Sequence, residues 1–163
     1  ILLNEAFTSA RVERELQENP YSVVHIASHG QFSGDVSQSF VLAYDGRITM
    51  DQLERLMQFG RFSDQPVEML TLSACETAVG DERAALGLSG IAIKAGARSA
   101  IGSLWRVDDE ATAELIGEFY RQLVVPNTSR AAALRAAQMH MLARPERAHP
   151  SLWSPFLLIG SWL

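Results

Sequence analysis

The chain has one cysteine, Cys75, among its 163 residues. That scarcity excludes an internal disulfide and every CxxC metal or redox site, and it points to a reducing compartment, the cytoplasm. Long hydrophobic runs are also missing. The apolar stretches are short and broken by Ser or Gly, so none reads as a bilayer-spanning segment. Positive charge is in the minority, with 14 Lys plus Arg against 19 Asp plus Glu and a formal net charge of −5. No basic patch therefore marks nucleic acid or an anionic membrane as a partner. The glycine patterns of Walker and Rossmann loops are absent. Gly87-Leu88-Ser89-Gly90 lacks the spacing of a serine-hydrolase elbow. No cofactor site is read from the sequence. The start, Ile1-Leu2-Leu3-Asn4-Glu5, has neither an initiator Met nor a signal peptide and reads as a cut inside a larger protein.

What is present suits one globular domain. Apolar residues make up 47% and charged residues 20%, enough to build a core in a chain near the length of about 150 residues usual per domain. β-rich runs occur at Tyr21–Ser28, Phe40–Tyr44, Val67–Ser73, Ser99–Leu104 and Phe156–Ile159, and Ile1–Leu3 reads as the stub of another strand. The interior runs are nearly continuous in apolar residues, as strands covered on both faces are. Helical patterns fall between them. Thr8–Glu18 places Val12 and Leu16 on one face, and Thr49-Met50-Asp51-Gln52 has the form of a capping box. Ala84–Ala95 is rich in small residues and ends at Gly96. Asp108 or Asp109 caps a helix striped by Leu115, Ile116, Phe119 and Leu123, and a last helix runs from about Ser129 to Leu142. This alternation predicts an α/β fold, a mostly parallel sheet with helices on both faces. Gly30–Gln38 is expected to be a long loop.

In open α/β sheets ligands bind beyond the carboxyl ends of the strands. Two reactive side chains stand at such ends: His29, after Val23-Val24-His25-Ile26-Ala27-Ser28, and Cys75, after Leu70-Thr71-Leu72-Ser73-Ala74. If the two strands are parallel neighbours, their ends lie about 5 Å apart laterally. A thiol with a pKa near 8.5 needs such a base beside it to expose a thiolate. Gly30 allows close backbone approach, and its N–H with that of Cys75 would form an oxyanion hole. The competing readings are a buried, inert cysteine and a histidine that is merely a polar residue leaving a sheet. His25 and His29 have HxxxH spacing, but on a strand that separates them by about 13 Å, too far for a shared zinc ion. His25 is instead read as a strand residue on the same face as His29.

His25-Ile26-Ala27-Ser28-His29-Gly30 and Leu72-Ser73-Ala74-Cys75-Glu76-Thr77 resemble the two signature blocks of CHAT domains. Three later regions agree in order: Ala95–Ala100 leading into Ser103–Asp109, Phe119–Leu123 with Ala133–Gln138, and His149–Phe156 with Leu158-Ile159-Gly160. The resemblance implies a caspase-like cysteine peptidase domain, of a kind that in bacteria often follows tetratricopeptide repeats. His29 takes the family's histidine position and Cys75 its nucleophile position. It also implies that an N-terminal part of the domain, including an early strand, precedes Ile1. The loop Ser103–Asp109 would help form the pocket for the residue before the cut, with Trp105 as wall or core, and Asp108 and Asp109 as cation binders or helix caps. Asp35 and Glu76 are further candidates. These acids favour cleavage after Arg or Lys in a protein or peptide substrate, under control of attached repeats or a partner. A non-proteolytic signalling or scaffolding module is the rival reading.

Overall fold

The computed structural model describes residues 1–32, 36–61, 67–73, 76–77 and 96–163. The expected strands form, four of them shorter than their apolar runs and the last one residue longer: β1 (Val23–Ile26), β3 (Phe40–Ala43), β5 (Met69–Leu72), β7 (Ser99–Ser103) and β8 (Phe156–Gly160). Three more are present, β2 (Gly30–Phe32), β4 (Gly46–Thr49) and β6 (Glu76–Thr77). The helices are α1 (Ser9–Glu18), α2 (Met50–Arg61), α3 (Asp109–Leu123) and α4 (Arg130–Leu142).

The main sheet has the order β1-β5-β7-β8. β1, β5 and β7 run parallel, with His25 opposite Thr71 and Thr71 opposite Ile101, and β8 closes the sheet antiparallel to β7. Every residue of β5 and β7 is buried, and alternation along these strands divides the core in two. Leu70, Leu72 and Ala100 join Val12 of α1 with Leu53 and Met57 of α2, whereas Met69 and Ile101 join Leu115 and Phe119 of α3 with Ala133 and Ala137 of α4. Helices thus cover both faces of a mostly parallel sheet, the α/β architecture the alternation predicts.

Local signals behave as the sequence implies. Thr49 N–H donates to Gln52 Oε1 at 2.8 Å while Gln52 N–H donates to Thr49 Oγ1 at 3.3 Å, a reciprocal capping box. Asp108, rather than Asp109, caps α3 by accepting from Ala111 N–H, and Ser129 caps α4. Gly96 has φ +83°, the left-handed backbone suited to ending a helix; Ala84–Ala95 lies outside the described residues. At the amino ends of the strands, Glu68 pairs with Arg98 at 3.2 Å and Arg130 at 3.0 Å.

Two expectations are corrected. Ile1–Leu3 forms no strand: Ala6 N–H closes back onto the Leu3 carbonyl, and Asn4–Ala6 turns into a 3-10 helix. An apolar triplet becomes a strand only where a neighbour offers it a ladder. Nor is Gly30–Gln38 a plain loop. Its first three residues are β2, and Val36–Gln38 is a 3-10 turn. β2 belongs to a second sheet of order β4-β3-β2-β6, in which Gly30 pairs with Val41 and Gln31 with Glu76.

Gly160 gives a sharp test of strand packing. Its φ is +92°, and a Cβ there would stand 2.4 Å from the Arg98 carbonyl oxygen. Gly160→Ala is expected to cost about 2–4 kcal/mol, combining left-handed strain with overpacking against backbone. Urea unfolding measures it; a midpoint equal to that of the wild type would refute the geometry.

Candidate active site

A cleft of about 970 Å³ opens at the carboxyl ends of the parallel strands. Residues 27–30 border it where β1 ends, Ser73 where β5 ends, and Ser103 and Arg106 where β7 ends; Asp109, Ile116 and Tyr120 of α3 form its wall. This is where an open α/β sheet binds ligands.

His29 sits on this rim, solvent-exposed, at the junction of the two sheets. Leu42 of β3 holds the junction with both of its backbone groups. Its N–H donates to the His29 carbonyl at 2.7 Å, and its carbonyl accepts from Ser28 Oγ at 2.5 Å. Since residues 29 and 42 form the bonded pair, antiparallel alternation turns the N–H of the next residue, Gly30, away from β3.

His25 points to the same cleft, as expected of its position on β1. Its Nε2 lies 2.8 Å from Ser73 Oγ, and its ring packs 5.6 Å from that of Tyr120, tilted by 41°. Partial loss of water around the ring holds the imidazole pKa below its ordinary value. Burial likewise raises the Tyr120 phenol, whose hydroxyl donates to Thr71 Oγ1 at 2.9 Å. A histidine with a lowered folded pKa binds fewer protons than in the unfolded chain, so acidification favours unfolding. Stability is therefore expected to fall as pH drops through about 6.5, the unfolded histidine value. His25→Gln should flatten that part of a stability–pH curve measured by urea unfolding; an unchanged slope counts against the assignment.

The other sequence-predicted residues divide. Asp109 lines the cleft, whereas Asp108 and Trp105 are not among its lining residues. Asp108 caps α3 and lies 3.9 Å from Arg147. Trp105 is 40% exposed and donates from Nε1 to the Ser151 carbonyl at 3.1 Å. Glu76 runs beside Gln31 in β6. Cys75 and Asp35 lie outside the described residues. Ser73, Tyr120 and Arg106 are among the cleft residues that the sequence does not mark as site residues. Arg106 sits in the loop already singled out for substrate contact, and its charge is the one signal that would have marked it.

Among the described residues no three His, Cys, Asp or Glu side chains gather as metal ligands. No helix among them is long and apolar enough to cross a membrane. A family model described as CHAT domain matches residues 1–161. No curated protein matches the chain at a significant level.

Proposed function

The chain belongs to the CHAT domain family of caspase-like, peptidase-related domains, and from that premise we propose that it is a cysteine endopeptidase domain with a His29–Cys75 dyad. One observation carries the reading. The described residues on either side of positions 74 and 75 are each held to the stretch of chain that carries His29. Ser73 N–H donates to the Ile26 carbonyl at 3.1 Å, and Glu76 pairs with Gln31, two residues past His29.

In this reading His29 takes the thiol proton and the Cys75 thiolate attacks the scissile carbonyl carbon. The N–H groups of Gly30 and Cys75 hold the oxyanion. As the C–N bond breaks, His29 returns the proton to the departing amine, leaving a thioester. Water then adds to the thioester, giving its proton to His29, and the acid product leaves as the thiol re-forms. The reaction needs no cofactor. Asp109 in the cleft favours a basic side chain before the cut, and Arg106, which borders the cleft beyond the end of β7, opposes it. Specificity therefore depends on which of the two the side chain meets, and Arg or Lys is the preferred residue in this reading. Asp35 and Glu76 are proposed as further substrate contacts, whereas Asp108 and Trp105 do not line the cleft. Attached repeats or a partner are proposed to order the site, so that the isolated domain is slow.

The test is a mixed peptide library incubated with the full-length protein and with Cys75→Ala, cut sites being mapped by mass spectrometry. Cysteine-dependent cuts after Arg or Lys are expected. Absence of any cut under activating conditions, with partner binding intact in Cys75→Ala, would establish the scaffolding alternative.

A further inference from the structure

The two strand ends from which the proposed dyad departs are tied together by a side-chain hydrogen bond. His25 Nε2 lies 2.8 Å from Ser73 Oγ across the cleft floor, reinforcing the Ser73 N–H bond to the Ile26 carbonyl. The tie belongs to a closed circuit. His25 stands opposite Thr71 in the β1–β5 register, Thr71 Oγ1 accepts from the Tyr120 hydroxyl, and the Tyr120 ring returns to pack on His25. Strand β1, strand β5 and helix α3 are thereby locked to one another at a single level, just below the exit of both strands.

Nothing in the proposed chemistry employs His25. It fills no core either, being exposed on the cleft side, and an accessible hydrogen bond between neutral groups adds only about 1 kcal/mol to stability. What the circuit does fix is geometry. His29 follows His25 by four residues, and Cys75 follows Ser73 by two. We infer that His25 is a positioning residue which, through Ser73, sets the distance at which base and nucleophile meet. The inference rests on the dyad reading and adds to it a named support. Misplacement of about 1 Å in such a pair can cost about 100-fold in rate, and loss of an outer hydrogen-bonding partner at other catalytic centres typically costs about 10- to 100-fold.

The test reads the thiol directly, so it does not depend on knowing the substrate. Full-length protein is treated with iodoacetamide at pH 7, and alkylation of the Cys75-containing peptide is followed by mass spectrometry. His29→Ala should slow alkylation about tenfold, the effect of raising the thiol pKa by about one unit. Ser73→Ala and His25→Leu should each slow it by a comparable factor. The double variant should be no slower than either single one, because both break the same link. His25→Gln, which keeps an amide within reach of Ser73, should recover most of the rate. With a cleaved peptide in hand, kcat should fall in Ser73→Ala while KM holds.

If Ser73→Ala perturbs the fold by circular dichroism, the near-isosteric pair Ser73→Thr and Ser73→Val isolates the hydroxyl, and only the threonine should retain the rate. Slow alkylation in His29→Ala with wild-type rates in Ser73→Ala and His25→Leu, or equal rates in the Thr and Val variants, overturns the positioning role and leaves the dyad standing. Alkylation indifferent to His29→Ala overturns the dyad, and the positioning role with it.

Discussion

Peptide cleavage should fall by about four to six orders of magnitude in Cys75→Ala, because the atom that forms the acyl intermediate is gone and only binding and the oxyanion donors remain. His29→Ala should behave differently. It leaves the thiol in place and removes the base, a change worth about 10²- to 10⁴-fold at pH 7. The deficit should shrink as pH rises toward about 8.5, where an unassisted thiol ionises by itself. A series of kcat/KM values between pH 6 and 9 separates the two variants. Cys75→Ala should stay flat at its low residual rate, while His29→Ala climbs toward the wild type. A His29→Ala enzyme as fast as the wild type at pH 7 would remove the histidine from the mechanism, whatever the cysteine does.

The largest effect on stability is expected in the core behind the cleft. Phe119 has no exposed surface, lies among the α3 and α4 residues packed against Met69 and Ile101, and meets the Tyr120 ring edge-on at 5.3 Å between centroids. Deleting a buried phenyl group leaves a cavity that its neighbours only partly fill, at a cost of about 3–5 kcal/mol. Domains are commonly stable by only about 5–15 kcal/mol, so Phe119→Ala should lose a large part of the total. The exposed Val124, at the end of the same helix, provides the control, since surface substitutions generally stay within about 0.5 kcal/mol. Urea unfolding of both variants checks the contrast. Equal midpoints would mean that the α3–α4 layer does not carry the load its burial implies.

How much of this was legible beforehand depends on the range of the signal. The Thr49–Gln52 box, the Asp108 and Ser129 caps and the apolar runs of β5 and β7 are local, and each can be read from a few adjacent letters. β2, β4 and β6 are two to four residues long and mixed in polarity. β4 pairs with β3 across the two-residue turn Tyr44-Asp45, a local hairpin, but β2 and β6 complete one ladder from distant parts of the chain, and no short window along the sequence contains that pairing. The same limit governed the site. His29 was legible as the end of an apolar strand followed by glycine, and Asp109 from the loop it closes. The link from His25 to Ser73 needs the register of β1 on β5, and Tyr120 reaches His25 and Thr71 only because α3 crosses that face. Trp105 shows the converse: a large aromatic in the right loop whose indole N–H is engaged by Ser151 instead.

The grip of Leu42 on residues 28 and 29 has a thermodynamic consequence for any ligand of the cleft. Fixing the backbone of one residue costs about 1–2 kcal/mol in conformational entropy. Here that cost falls at folding, when the β3 strand takes hold of the Ser28 side chain and the His29 carbonyl. The histidine backbone is thus pre-organised, and a substrate arriving at the cleft need not spend its own binding energy on ordering it.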